Sequence, residues 1–221
     1  MATPRFFTLD WVEQAVLSDG TPVRLRLIRP EDKDTLRAGF DRLSPASRYA
    51  RFLAPKTALS DEELRYLCEV DHENHVAIGA VRDVPGQPAD GLGIARFIRL
   101  AEPPNTAEAA IAVADEVQHR GLGRLLLLRL VAAAAERGIE RVRCEVLGSN
   151  AGMAALLADI APERTVEVGG GMMSIEIALP NVTPTAPPAG EPLQSPMYRL
   201  FRAVAQNALA WTDTVRNLWR G

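Results

Sequence analysis

The sequence predicts an α/β protein: a mixed sheet with helices on both faces, followed by a proline-rich linker and a carboxy-terminal amphipathic helix. Two observations carry this. Between residues 21 and 180, runs of alternating polar and apolar residues are interleaved with runs of helical periodicity in the order β-α-α-α-β-β-β-α-β-α-β-β, which calls for helices on both faces of the sheet. Between Pro180 and Pro196, six of seventeen residues are proline and no period survives, so the chain reads there as an extended, semi-rigid tether. The expected organisation is a lead-in at 1–20, one domain at 21–180, a linker at 181–196 and a helix at 197–221.

Each element has a local cause. The lead-in offers only a few apolar residues, Phe6, Phe7, Trp11 and Val12. Val23 to Ile28 alternates as a half-buried strand. Pro30-Glu31-Asp32 opens a helix, because proline fits the first turn and acids meet the positive end of the helix dipole. Ser44-Pro45 starts a second helix, and Ser60 with Glu63 has capping-box spacing for a third. His75–Val81 and Gly91–Leu100 form a strand pair around Pro85-Gly86, and Glu108–Val113 is a short apolar strand. Gly123–Arg137 is a strong helix stopped by Gly138. Arg141–Leu147 is a strand, Ser149–Asp159 a helix, and Arg164–Val168 with Met172–Leu179 a closing strand pair around three glycines. After Ser195-Pro196, residues Met197, Phe201, Val204, Ala208, Trp211, Val215 and Leu218 repeat at four-three spacing, an a/d seam.

Composition excludes several classes. A net charge of -3 and a pI near 5.7 argue against nucleic-acid binding by bulk electrostatics. The longest apolar run, Leu125 to Ala135, is broken by Arg129 and is too short to cross a bilayer, so no integral membrane protein is expected. Two cysteines make no disulfide framework and no apolar leader is seen, so a reduced, cytoplasmic protein is expected, with Cys68 and Cys144 as buried, inert thiols. His72-x-x-His75 with Glu73 lacks a third ligand at sensible spacing, so no metal is expected. Tyr49 and Tyr66 are read as lining a cleft or packing, without a choice between the two. The helix over 197–220 is read as a surface for self-association or a partner; packing on its own domain and an anionic membrane surface are the competing readings.

Chemistry concentrates between Glu108 and Arg124. A strand ends, a polar turn follows, and Gly121 and Gly123 open the long helix, whose free amides form an anion site flanked by Arg120 and Arg124. This is a phosphate or pyrophosphate cradle. The P-loop pattern fails, because no Gly-Lys-Ser/Thr follows, and the dinucleotide fingerprint fails because its third glycine falls on Leu126.

What remains is Gln118-x-x-Gly121-x-Gly123, which resembles the acetyl-CoA motif of the GNAT N-acetyltransferases. The stretches Leu43–Phe52, Leu59–Leu64 and Asp71-His72 before Val76-Ala77-Ile78 are similar to the catalytic domain of bacterial protein lysine acetyltransferases. The resemblance implies the GNAT acyl-CoA N-acyltransferase fold over roughly 21–180, acetyl-CoA as co-substrate and Glu108 as the catalytic base. It further implies that the backbone of Ile111, Ala112 and Val113 polarises the thioester, and that Gln118, His119, Arg120, Gly121, Leu122, Gly123 and Arg124 hold the pyrophosphate. Asn150 and Met153 would contact the far side of the CoA arm. Two departures stand out: Ile160-Ala161-Pro162 replaces the family's Leu-Gly-Phe, and no tyrosine lies at 154–160 to serve as general acid. The function expected is acetyl transfer from acetyl-CoA to an amine, a protein lysine first. A small amine such as a polyamine or aminoglycoside is the first alternative, and a non-catalytic acyl-CoA-binding module the second.

Overall fold

The computed structural model describes residues 5–179. The expected linker at 181–196 and the expected helix at 197–221 lie outside the described residues. The strands are β1 (Val12–Val16), β2 (Pro22–Leu27), β3 (His75–Arg82), β4 (Asp90–Arg99), β5 (Thr106–Val113), β6 (Arg141–Leu147), β7 (Thr165–Gly169) and β8 (Met172–Ala178). They form one sheet in the order β1-β2-β3-β4-β5-β6-β8-β7, antiparallel throughout except where β5 meets β6. The helices are α1 (Lys33–Asp41, after a short 3₁₀ turn at Pro30–Asp32), α2 (Pro45–Phe52), α3 (Asp61–Cys68), α4 (Leu122–Ala135) and α5 (Ala151–Ile160).

Register sorts the side chains to two faces, because neighbours along a strand alternate. Val76, Ile78, Ala95, Phe97, Ala109 and Ile111 share one face and pack against α4 in the main core. Ala77, Ile94, Arg96, Glu108, Ala110 and Ala112 share the other, which α1, α2 and α3 cover with smaller apolar clusters. The sheet is mixed and clothed on both faces, as the sequence predicts. Helix α4 is apolar nearly all round and buries Leu122 and every residue from Leu125 to Ala134. Each fully buried leucine there contributes about 1.5–3 kcal/mol.

The lead-in holds more order than its few apolar residues suggest. Strand β1 pairs with β2 from Val12↔Arg26 to Val16↔Pro22, and Phe7, Trp11 and Leu17 enter the main core. The strand is hard to read because its pattern is inverted: Val12 and Val16 face solvent, while the buried position is Glu13. Its partner is the arginine that interrupts the apolar run of α4: Arg129 is fully buried and its Nε donates to Glu13 Oε2 at 3.0 Å. Among the described residues, no helix is long and apolar enough to cross a membrane.

Candidate active site

The site is built where β5 and β6 part. The two strands pair only at Thr106↔Arg141, Ala107↔Val142 and Glu108↔Arg143. Beyond Glu108, β5 continues to Val113 on β4 and β6 continues to Leu147 on β8, with no ladder between them. The backbone of 109–113 therefore has an edge without a strand partner, a ready-made acceptor for an extended ligand.

The α4 face of this opening carries the anion-binding features. Gly121 is the N-cap of α4 at φ 86°, and His119 also takes a left-handed φ of 58°. These turns leave the first amides of α4 without intrahelical partners, aimed where a phosphate is stabilised by the helix dipole. Gly123 lies inside the helix, and a Cβ there would meet Leu156 Cδ2 at 3.4 Å, so its smallness keeps the surface low rather than relieving strain. The two flanking cations are both engaged: Arg120 forms an ion pair with Asp19, and Arg124 with Asp159. Asn150 caps α5 by accepting from the Met153 N–H at 3.0 Å, so the pair sets the start of the helix that packs beside α4.

Gln118 has a different local task from the glycines. Its side-chain Nε2 donates to Asp115 Oδ1 at 2.8 Å and to the Val113 carbonyl at 3.1 Å. Asp115 also accepts from the Ser44 N–H at 2.6 Å and from the Ser47 hydroxyl. Burial raises the Asp115 pKa, but the bonds from Ser47 and Ser44 outweigh it and hold the carboxyl below its ordinary value. This knot fastens α2, on one side of the sheet, to the turn that leads into α4. The sequence marks Ser44 only as the start of a helix.

The other face holds a cavity of about 480 Å³ into which Glu108, exposed, projects. Register puts Glu108 opposite Ile98 and Arg96 opposite Ala110, so carboxylate and guanidinium lie one diagonal apart on the same face. Tyr66 lines this cavity and also packs against His75, the ring centroids 5.2 Å apart. Tyr49 is exposed on α2. His75 Nε2 lies 2.9 Å from Arg96 Nη1; since the guanidinium can only donate, this nitrogen accepts and the ring is neutral. Burial, with Arg96 alongside, pushes its pKa down to about 4. Glu73 and His75 thus find partners in the protein, Arg5 and Arg96. Among the described residues, the buried His72 Nδ1 has no hydrogen-bond partner, and no group of three metal-binding side chains occurs. Cys68 and Cys144 are buried thiols whose pKa values burial pushes up to about 11 and about 12, which keeps them inert. Arg51 and Arg96, which line the cavity, are functional candidates that sequence reading passed over. The signal was there in Ile94-Ala95-Arg96-Phe97-Ile98, where the charge stands at a position that alternation assigns to a covered face.

A strand pair splayed beside a glycine-opened helix, with a carboxylate at the point of divergence, defines a CoA-dependent acyltransferase of the GNAT type. Residues 28–159 match the Acetyltransferase (GNAT) family, and the chain belongs to it. It is 33% identical over 132 residues to acetyltransferase PA5475 of Pseudomonas aeruginosa, covering 60% of this chain and 69% of that one. It is 27% identical over 186 residues to acetyltransferase Pat of Mycolicibacterium smegmatis, covering 82% of this chain and 54% of Pat, so it spans about half of that relative. The GNAT domain of S. lividans PAT superposes with a TM-score of 0.70 at 29% identity, covering 78% of this chain and 99% of that domain. The chain is an acetyl-CoA-dependent N-acetyltransferase, and the likeness to bacterial Pat enzymes read from its motifs holds.

Proposed function

We propose that this enzyme acetylates a protein lysine from acetyl-CoA, with Glu108 as general base. The observation that carries the reading is the position of Glu108. It stands at the last paired residue before β5 and β6 diverge, facing the cavity on one side of a strand whose open edge and adjoining α4 start face the other. In this reading Gln118 to Arg124, Asn150 and Met153 frame the CoA arm, and the backbone of Ile111–Val113 polarises the thioester carbonyl. A free lysine is only about 0.04% neutral at pH 7, so a base beside it is worth a large factor in rate. The amine nitrogen attacks the thioester carbon, its proton passes to Glu108 directly or through water, and the CoA thiolate departs. With no tyrosine at 154–160, solvent protonates the thiolate. A cytoplasmic setting belongs to the same proposal.

The cavity volume falls within the range of small-molecule sites, which keeps a small amine as the second reading. One experiment separates them: thiol release from acetyl-CoA with a lysine-rich protein extract and, separately, with its small-amine fraction. The expected result is turnover with protein, lost by about 100-fold or more in Glu108→Gln. Turnover with small amines alone transfers the case to the second reading, and full activity in Glu108→Gln removes the base.

A further inference from the structure

The acceptor face contains two cations that the fold does not neutralise. Arg96 is only 4% exposed, and its Nε has no hydrogen-bond partner. Its other nitrogens reach neutral acceptors, His75 Nε2 at 2.9 Å and the Leu67 carbonyl at 3.3 Å. Arg51 lies close enough to depress the Arg96 pKa, which burial first and Arg51 second push down to about 9, so the Arg96 guanidinium is still charged at pH 7. Arg51, half-buried, has the Phe52 ring 5.0 Å from its guanidinium carbon and makes no ion pair among the described residues. Buried cations are ordinarily paired, and two like charges brought together unpaired are costly to hold.

The other charged groups of the cavity do not resolve this. Glu63 is spent on Lys56 at 2.5 Å and on the Ser60 N–H that caps α3. His75 is neutral. Glu108 attracts Arg51 but forms no ion pair with it. Arg51 and Arg96 both line the 480 Å³ cavity and also a second, smaller one under α1, so they stand where the two meet. Ala77 and Ala110, which flank Arg96 across the sheet, place only methyl groups beside it on this face.

We propose that Arg51 and Arg96 form an anion subsite that receives a carboxylate carried by the acceptor amine. The cavity is then bipolar: the amine goes to Glu108, and a carboxylate one strand diagonal away goes to the arginine pair. This deepens the reading of Glu108 as the acceptor-side base and rests on it. The carboxylate has two possible sources, an acidic side chain next to the acceptor lysine or the α-carboxylate of a free amino acid.

The test compares acceptors that differ in charge alone. Thiol release is measured with lysine peptides carrying Glu or Gln beside the lysine, and with free lysine against lysinamide. The acid of at least one pair is expected to exceed its amide by about tenfold or more in kcat/KM, as a charge-assisted bidentate contact would give, and the responding pair identifies the source. Arg51→Gln, at a position without hydrogen bonds to lose, is expected to level acid and amide, and Arg51→Lys to restore part of the preference. Equal rates for acid and amide in the wild type for both pairs overturn the proposal. Glu108→Gln lowers both members of a pair together, so a persisting preference with a failed base, or the reverse, is read separately. Calorimetry with glutarate gives a readout free of turnover: binding weakened in Arg51→Gln supports the subsite, and binding unchanged by that substitution overturns it.

Discussion

Arg129 is the bulkiest side chain that the fold buries completely, and it lies in the middle of the long, deeply buried helix α4. Glu13 meets that guanidinium from β1 and compensates its charge. The pair's net contribution is small, since the desolvation of both charges offsets their attraction, but removing one partner withdraws that compensation from the other. Glu13→Gln is therefore expected to cost about 3–5 kcal/mol, whereas Glu13→Leu combined with Arg129→Met recovers most of that loss. Urea unfolding of the three proteins checks it, and a Glu13→Gln midpoint equal to wild type would show that the ion pair is idle. Legibility at this scale is uneven. Glu108 was singled out through the family resemblance, and the two buried thiols from the apolar character of their positions. Glu13 could not be, because the partner that makes a buried charge meaningful is remote in sequence: 116 residues separate Arg129 from Glu13.

At the scale of elements, the two glycines that open α4 have separable roles. Gly121 needs its left-handed φ of 86°, which an L side chain adopts at a cost of about 1 kcal/mol or more. Gly123 has ordinary helical backbone, and a Cβ there makes only normal contacts at 3.4–3.9 Å. Gly121→Ala is thus expected to lower both stability and acetyl-CoA affinity. Gly123→Ala is expected to leave thermal stability unchanged or slightly raised, alanine being the better helix former, while weakening acetyl-CoA binding by tenfold or more because the methyl group blocks close approach to the helix start. Thermal unfolding paired with calorimetric titration of acetyl-CoA measures both. An undiminished affinity in Gly123→Ala would move the pyrophosphate elsewhere. The helices and seven of the eight strands were legible because caps, periodicity and glycine stops are local signals. Strand β1 was not, because its buried residue is charged and its valines face water. The splay of β5 from β6 has no sequence signature either; it is a property of register between strands separated by a whole helix.

For the molecule as a whole, the proposed function has the sheet divide the work, with CoA-directed features against α4 and acceptor-directed features under α1, α2 and α3. The acceptor face is held in shape by groups that must stay in one protonation state. His75 is neutral there with its pKa near 4, against an ordinary 6.5, and burial lowers that of His72 as well. As pH falls, the unfolded chain takes up these protons near 6.5 while the folded protein refuses them. Stability is therefore complete above about pH 6.5 and declines down to about 4, by on the order of 3 kcal/mol for His75. Asp32, Asp71 and Asp115 extend the decline. Burial raises each of their pKa values, but bonds from Arg26 to Asp32, from the 73–75 amides to Asp71, and from Ser47 and Ser44 to Asp115 hold the net value below 3.8. Their stabilising share is present at neutral pH and is lost as pH falls through 3.8 and below. Urea midpoints taken between pH 7.5 and 3.5 are expected to fall in two stages, the upper one due to histidine. His75→Gln should flatten the upper stage and spare the lower. A wild-type midpoint that holds level from pH 7 to 4.5 would mean that His75 is hydrated rather than buried against Arg96, and the neutral ring that supports the arginine would have to be given up.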